Sequence, residues 1–156
     1  MKKIINPYIN KKGYNCIGCS PNNPIGLHLE FYEDGEDIVS MWSPNENYQG
    51  WLDTLHGGVI ATLIDETAGW VIPRKLQTTA VTSKLTIHYK KPVMTTDKML
   101  TIRARIIESK RNFHTIHVTL ENERGEICDE ADALYYAMSP DKSKEMGLTE
   151  CKVEGE

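Results

Sequence analysis

Residues 59–72, VIATLIDETAGWVI, restrict the fold more than any other stretch of the chain. A helix lying on a protein surface shows one apolar stripe and one polar face, but here the apolar side chains spread almost all the way round. Such a helix must be covered on most sides. Gly57-Gly58 opens it. Pro73 is expected to close it, because proline has no N–H to give and its ring clashes with the preceding turn.

The material to cover it comes directly afterwards. Four runs rich in β-branched residues, Thr79 to Tyr89, Met99 to Glu108, Phe113 to Asn122 and Ile127 to Met138, are broken only at Pro92, Thr96-Asp97, Lys110 to Asn112 and Arg124-Gly125. Short links imply antiparallel neighbours, since a parallel crossover takes about a dozen residues. Ahead of the helix, Leu27 to Glu33 alternates apolar and polar residues, Asp34-Gly35 signals a hairpin, and Glu36 to Trp42 returns. Ser43 to Leu55 reads as a long loop. The fold class is therefore α+β, a curved antiparallel sheet of about six strands wrapped around one long central helix. Residues 1–26 form an irregular arm, residues 27–139 the folded domain, and residues 140–156 a charged, frayed tail.

Composition removes several function classes. With a net charge of −4, the chain lacks the basic balance of a nucleic-acid-coating protein. No stretch approaches the roughly 20 apolar residues of a membrane span, and no apolar run follows the basic N-terminus as a signal peptide requires. A cytoplasmic address is expected, where the four cysteines remain thiols. Cys16 and Cys19 form a CxxC pair, but a structural zinc takes four ligands and no second pair stands nearby; His28 and Cys128 join only if folding brings them. A thioredoxin-type role lacks its βαβ context. No metal or cofactor is expected, and the pair is read as part of a structural arm.

The chemistry gathers around the helix. Two glycines at its start leave backbone N–H groups uncovered at the positive end of the helix dipole, where an anion or an oxyanion can bind. Asp65 follows, a carboxylate costly to bury in so apolar a helix without partners. It shares a small, polar face with Gly58, Thr62 and Gly69. Glu66 lies about 100° round, and is expected in an interface or surface salt bridge. Gly58 and Asp65 are roughly 10 Å apart along the axis at 1.5 Å per residue, so one carbonyl group cannot touch both. If both serve one reaction, the carboxylate comes from a second copy of the helix, which implies a homodimer with shared sites.

The run HGGVIATLIDE, with Gln49-Gly50 before it and TTAVTSKLTIHYKKPV after it, resembles the hotdog thioesterases of the phenylacetate-pathway (PaaI-like) type. The resemblance covers about Leu27 to Met138. It implies a thioesterase acting on acyl-coenzyme A, as a homodimer or a tetramer of two such dimers. It implies that Gly57 and Gly58 bring the helix tip to the thioester oxygen and that Asp65 of the partner activates water or attacks directly. His56 would hold the loop or contact the thioester, and Gln49 would take the place of the family's polar residue in the preceding loop. Counting back from Pro92, Thr82 takes the Ser/Thr position of the following strand, with Ser83 as the off-by-one alternative. Gln in place of Asn before the motif, and the second acid at Glu66, are departures that leave substrate and mechanism open. Lys110 and Arg111 at a hairpin turn, ahead of Lys90 and Lys91, are candidates for the coenzyme A phosphates. A non-catalytic acyl-CoA or lipid binder and a hotdog hydratase or dehydratase are the alternatives on the same fold.

Overall fold

The computed structural model describes residues 1–156. Seven strands make one sheet: β1 (Lys2–Lys3), β2 (Tyr32–Asp34), β3 (Asp37–Trp42), β4 (Ala80–Tyr89), β5 (Leu100–Lys110), β6 (Phe113–Glu121) and β7 (Ile127–Ala137). Their order across the sheet is β1-β2-β3-β5-β6-β7-β4, and every pairing is antiparallel. The helix α1 (Gly57–Leu76) lies between β3 and β4 in sequence and packs on β3 through β7. Its Leu63, Ile64, Ala68, Val71 and Ile72 have no exposed surface. No helix of the chain is long and apolar enough to cross a membrane.

The expected α+β architecture is present, with β1 as a seventh, two-residue strand added by the arm. The four β-rich runs become β4 to β7 to within two residues at either end. The hairpin also forms where expected, with Gly35 at φ 61° between β2 and β3, a left-handed backbone that glycine adopts without strain.

Three expectations are corrected. Leu27 to Glu33 keeps its alternation, with Leu27, Leu29 and Phe31 buried, but only Tyr32–Asp34 is strand. His28 at φ 54° breaks the ladder, and the N–H groups of Leu27 and Leu29 go instead to Ile17 and Gly18 of the arm. Pro73 does not close the helix. Helix α1 continues to Leu76 and ends at Gln77, left-handed at φ 55°. An interior proline costs about 3 kcal/mol. Here the ring is itself buried core, and Arg74 and Lys75 of the last turn reach Glu33 at 2.9 and 2.7 Å. Tertiary packing offsets the local penalty.

The closing segment is not a frayed tail. Residues Pro140–Glu145 form a short helix, α2, and Leu148, Cys151 and Val153 are buried. Val153 bridges to Ile4 of the arm, and the Cys151 carbonyl accepts from Arg74 at 2.9 Å. Leu148→Ala is expected to cost about 2–4 kcal/mol of unfolding free energy in a denaturant titration, the loss of a buried leucine with a cavity left behind. A cost near zero there would mean the segment is not docked.

A bulge in β4 sets up the site. Thr82 pairs with Tyr135 and Lys84 with Leu134, so Ser83 is the extra residue. Side chains alternate along a strand, and one inserted residue switches the parity. Ala80 and Thr82 face the helix before the bulge; Leu85 and Ile87 pack on the core after it.

Candidate functional site

Asp65 sits midway along α1, half-buried, and its side chain takes two hydroxyls from the sheet. Thr82 Oγ1 donates to Asp65 Oδ1 at 2.9 Å, and Tyr135 Oη donates to the same oxygen at 2.5 Å. Tyr135 also donates to the Asp65 carbonyl at 2.6 Å. No side chain of the same chain bonds Oδ2. Burial and the neighbouring Asp65 charge push the Tyr135 phenol well above the ordinary tyrosine range, so it remains a donor at any neutral pH. The carboxylate is thus fixed through one oxygen and free at the other.

Of the Ser/Thr alternatives, the hydroxyl on Asp65 belongs to Thr82; Ser83 is the bulge residue. Tyr135 was not anticipated. Its signal was the alternation of β7, where Ala131, Ala133, Tyr135 and Ala137 all fall on the buried face. Tyr135→Phe keeps the ring and removes only the donor. It is expected to lower turnover roughly tenfold with little change in melting temperature, since one charge-assisted hydrogen bond is lost. An unchanged rate in that variant would show Thr82 alone suffices.

Asp65 and Thr82 open into a cleft of about 330 Å³ between α1, β4 and the arm. Its walls include Tyr8, Tyr14, Trp70 and Pro73, with Glu66, Cys16 and Cys19 on the arm side. Glu66 makes no salt bridge within the chain. It accepts from Trp70 Nε1 at 3.1 Å and faces the Cys16 thiol at 3.4 Å. All four cysteines are free thiols. The neighbouring Cys19 side chain holds Cys16 down at about 7, while Cys16 and burial drive Cys19 up.

The helix tip is a separate group of residues, none of which lines that cleft. His56 caps α1, its Nδ1 accepting from Gly58 N–H at 2.8 Å. That bond fixes the ring proton on Nε2, which faces away from the cap. It also occupies one of the two amides expected to be open. Gly57 N–H, by contrast, has no acceptor within the chain. Tyr89 Oη donates to the Gly57 carbonyl at 2.8 Å, anchoring the tip to the far end of β4 from Thr82.

Gln49 belongs to this tip group. It bridges to Leu55, and its amide oxygen accepts from Asp53 N–H at 3.3 Å, so it braces the loop that delivers His56. Gly50 lets the loop pass close, since a Cβ there would lie 3.3 Å from His56 Cδ2. Lys90 and Lys91 are tied to Glu130 and Glu126 at 2.8 and 2.9 Å. Lys110 is highly exposed and 3.4 Å from Glu108, and Arg111 stands at φ 55° in the turn between β5 and β6. The turn lies on the row Lys110–Phe113–Tyr136–Val81 of the sheet, one residue from the row that holds Tyr135 and Thr82.

Known proteins resemble the chain in sequence or in fold. The family described as the thioesterase superfamily matches residues 52–128, from the tip loop to β7. The acyl-coenzyme A thioesterase THEM4 of Rattus norvegicus is 31% identical over 122 residues, 75% of this chain and 52% of that protein. The chain therefore spans about half the length of the curated relatives it matches. A hypothetical thioesterase of Streptococcus pneumoniae, solved with coenzyme A, superposes with a TM-score of 0.65 at 22% identity, over 71% of this chain and 86% of that one. The PaaI protein of the E. coli phenylacetic acid degradation operon superposes at 0.66 and 17% identity, over 72% and 81%. At those identities the two structures speak for the fold, and the sequence matches speak for the family. The chain belongs to the thioesterase superfamily and has its hotdog fold.

Proposed function

We propose that the chain hydrolyses an acyl-coenzyme A thioester to the free acid and coenzyme A, in a site made by two copies of the chain. The observation that carries this reading is the Asp65 carboxylate, held by two hydroxyls on one oxygen and open on the other at the mouth of an aromatic-walled cleft. Oδ2 activates a water or attacks the carbonyl itself. Negative charge then develops on the thioester oxygen and needs a donor. Within one chain the free Gly57 amide is about 12 Å up the helix from Asp65, beyond the reach of the same carbonyl.

A second copy removes the gap. Strand β4 is the sheet edge, ten residues long and unpaired on one side. It exposes Val81 at 44% and Tyr89 at 53%. A bare edge of that length is a template for pairing. Two β4 edges joined antiparallel about a two-fold axis at Leu85–Thr86 set Thr82 opposite the partner's Tyr89. Asp65, bonded to Thr82, then faces the partner's Gly57, which Tyr89 anchors in each chain. The partner's Gly57 N–H and His56 Nε2–H receive the oxyanion, and the coenzyme A thiolate leaves. Lys110 and Arg111 lie at the same end of the sheet for its phosphates.

The test is release of free thiol from a panel of straight-chain and aromatic acyl-CoAs, followed with a thiol-trapping dye. Turnover of at least one acyl-CoA by a dimer or larger assembly in sedimentation supports the reading. Saturable binding without thiol release would favour a non-catalytic acyl-CoA binder, and hydration of an enoyl-CoA a hydratase. Hydrolysis by a compact monomer would end the shared-site proposal.

A further inference from the structure

Three ligating side chains meet where the arm closes over α1. Cys16 Sγ, Cys19 Sγ and a carboxylate oxygen of Glu66 all lie within 4.8 Å of one another. Cys16 Sγ and Glu66 Oε1 approach to 3.4 Å. In a tetrahedral zinc site, metal–ligand bonds of about 2.0–2.3 Å set neighbouring ligand atoms roughly 3.5–4 Å apart. Drawing the three ligand atoms onto one ion requires their separations to close by no more than about 1 Å.

Independent features of the surroundings suit a bound cation. The backbone amides of Gly18 and Cys19 both donate to Cys16 Sγ, at 3.3 and 3.4 Å, and hydrogen bonds to a sulfur favour its thiolate form. The Tyr14 hydroxyl lies 2.7 Å from Cys19 Sγ, placed to donate to the second sulfur. A Cβ at position 18 would sit 2.6 Å from Glu66 Cδ, so glycine is what lets the CxxC turn come down onto the helix. Above all, Glu66 is half-buried with no lysine or arginine against it; its partners are Trp70 Nε1 and the Cys16 thiol. A carboxylate taken partly out of water between two thiols lacks a compensating charge.

We propose that Cys16, Cys19 and Glu66 bind one zinc ion per chain, leaving a fourth coordination position that opens into the Asp65 cleft. Two soft sulfurs with one carboxylate select zinc over magnesium or calcium, which take oxygen ligands. Binding releases the two thiol protons to solvent and moves no electrons. The ion staples the arm to α1 one residue from Asp65, fixing the cleft wall that carries Tyr14. The third ligand stands 50 residues beyond Cys16, out of reach of any CxxC spacing rule. The site stands apart from the hydrolase reading, and neither depends on the other.

Reduced, chelator-stripped protein titrated with cobalt(II) tests this, because cobalt–thiolate bonds absorb in the near-ultraviolet and no turnover is needed. The expected result is saturation at one cobalt per chain, with displacement by zinc. Cys16→Ser and Cys19→Ser each remove about half of the band or more, and Glu66→Gln keeps the band but weakens binding about tenfold or more. The proposal is overturned if reduced protein gives no band, if the band survives both cysteine substitutions, or if Glu66→Gln binds as tightly as the unaltered chain. Should Cys16→Ser fail to fold, the unaltered protein and Glu66→Gln still decide.

Discussion

Asp65→Asn is expected to lower turnover of the best acyl-CoA by about 10³-fold, while leaving KM, melting temperature and oligomeric state nearly unchanged. Asparagine keeps the size of the side chain, and its amide oxygen still accepts from Thr82 and Tyr135 where Oδ1 does now. What it cannot do is take a proton from water or form a bond to an acyl carbon through Oδ2. The effect is therefore expected in kcat and not in folding. Thiol release at saturating substrate measures it. Full turnover by the asparagine variant would remove Asp65 from the chemistry.

The largest expected gain in stability belongs to a different aspartate. Asp129 of β7 has 0% exposure, and neither carboxylate oxygen has a hydrogen-bond partner. Burial raises its pKa from the ordinary 3.8 to about 7. Well below 3.8 the folded and unfolded chains both hold the proton, and the group has no effect. As pH rises from 4 towards 7 the unfolded chain gives up its proton and the folded chain keeps it, so stability falls, levelling off above 7. Asp129→Asn removes that dependence. At pH 8 it is expected to unfold on the order of 3 kcal/mol later than the parent, or roughly 6–12 °C higher in melting temperature. At about pH 3 the two should nearly coincide. Melts across that range check the sign, and a parent whose advantage grows with pH would show that Asp129 is paired after all.

The hotdog architecture was legible because its main signals are local. A helix apolar on all sides and four β-rich runs joined by short breaks leave few other ways to hide the helix. Asp65 was legible for the same reason, as the costly residue in that helix. What escaped was set by contacts distant in sequence. Tyr135 reaches Asp65 from 70 residues away, and nothing in its own neighbourhood marks it. The register count left Thr82 and Ser83 as alternatives, and only the bulge in β4 separates them. Pro73 reads as a stop, yet the helix runs through it because Glu33 and Cys151 secure Arg74 beyond. Leu148, Cys151 and Val153 stand singly among charged residues, so no periodicity announces that they are core. At the tip, the two glycines look equivalent in sequence, but His56 uses the Gly58 amide and leaves only that of Gly57.

That asymmetry supplies a selective lesion. Gly57 is the first residue of α1, where proline is well tolerated, and His56 before it is extended at φ −61° and ψ 134°, as a residue preceding proline should be. Gly57→Pro thus deletes the one free amide with little disturbance to the helix. Each of Asp65→Asn and Gly57→Pro alone should be nearly inactive, about 10²-fold or more below the parent. Co-expressed under two tags and purified as the mixed dimer, they place both lesions in one shared site and neither in the other. Recovery of about half the parental kcat per dimer is then expected. A mixed dimer as inactive as its two parents would contradict a site built from the aspartate of one chain and the helix tip of the next.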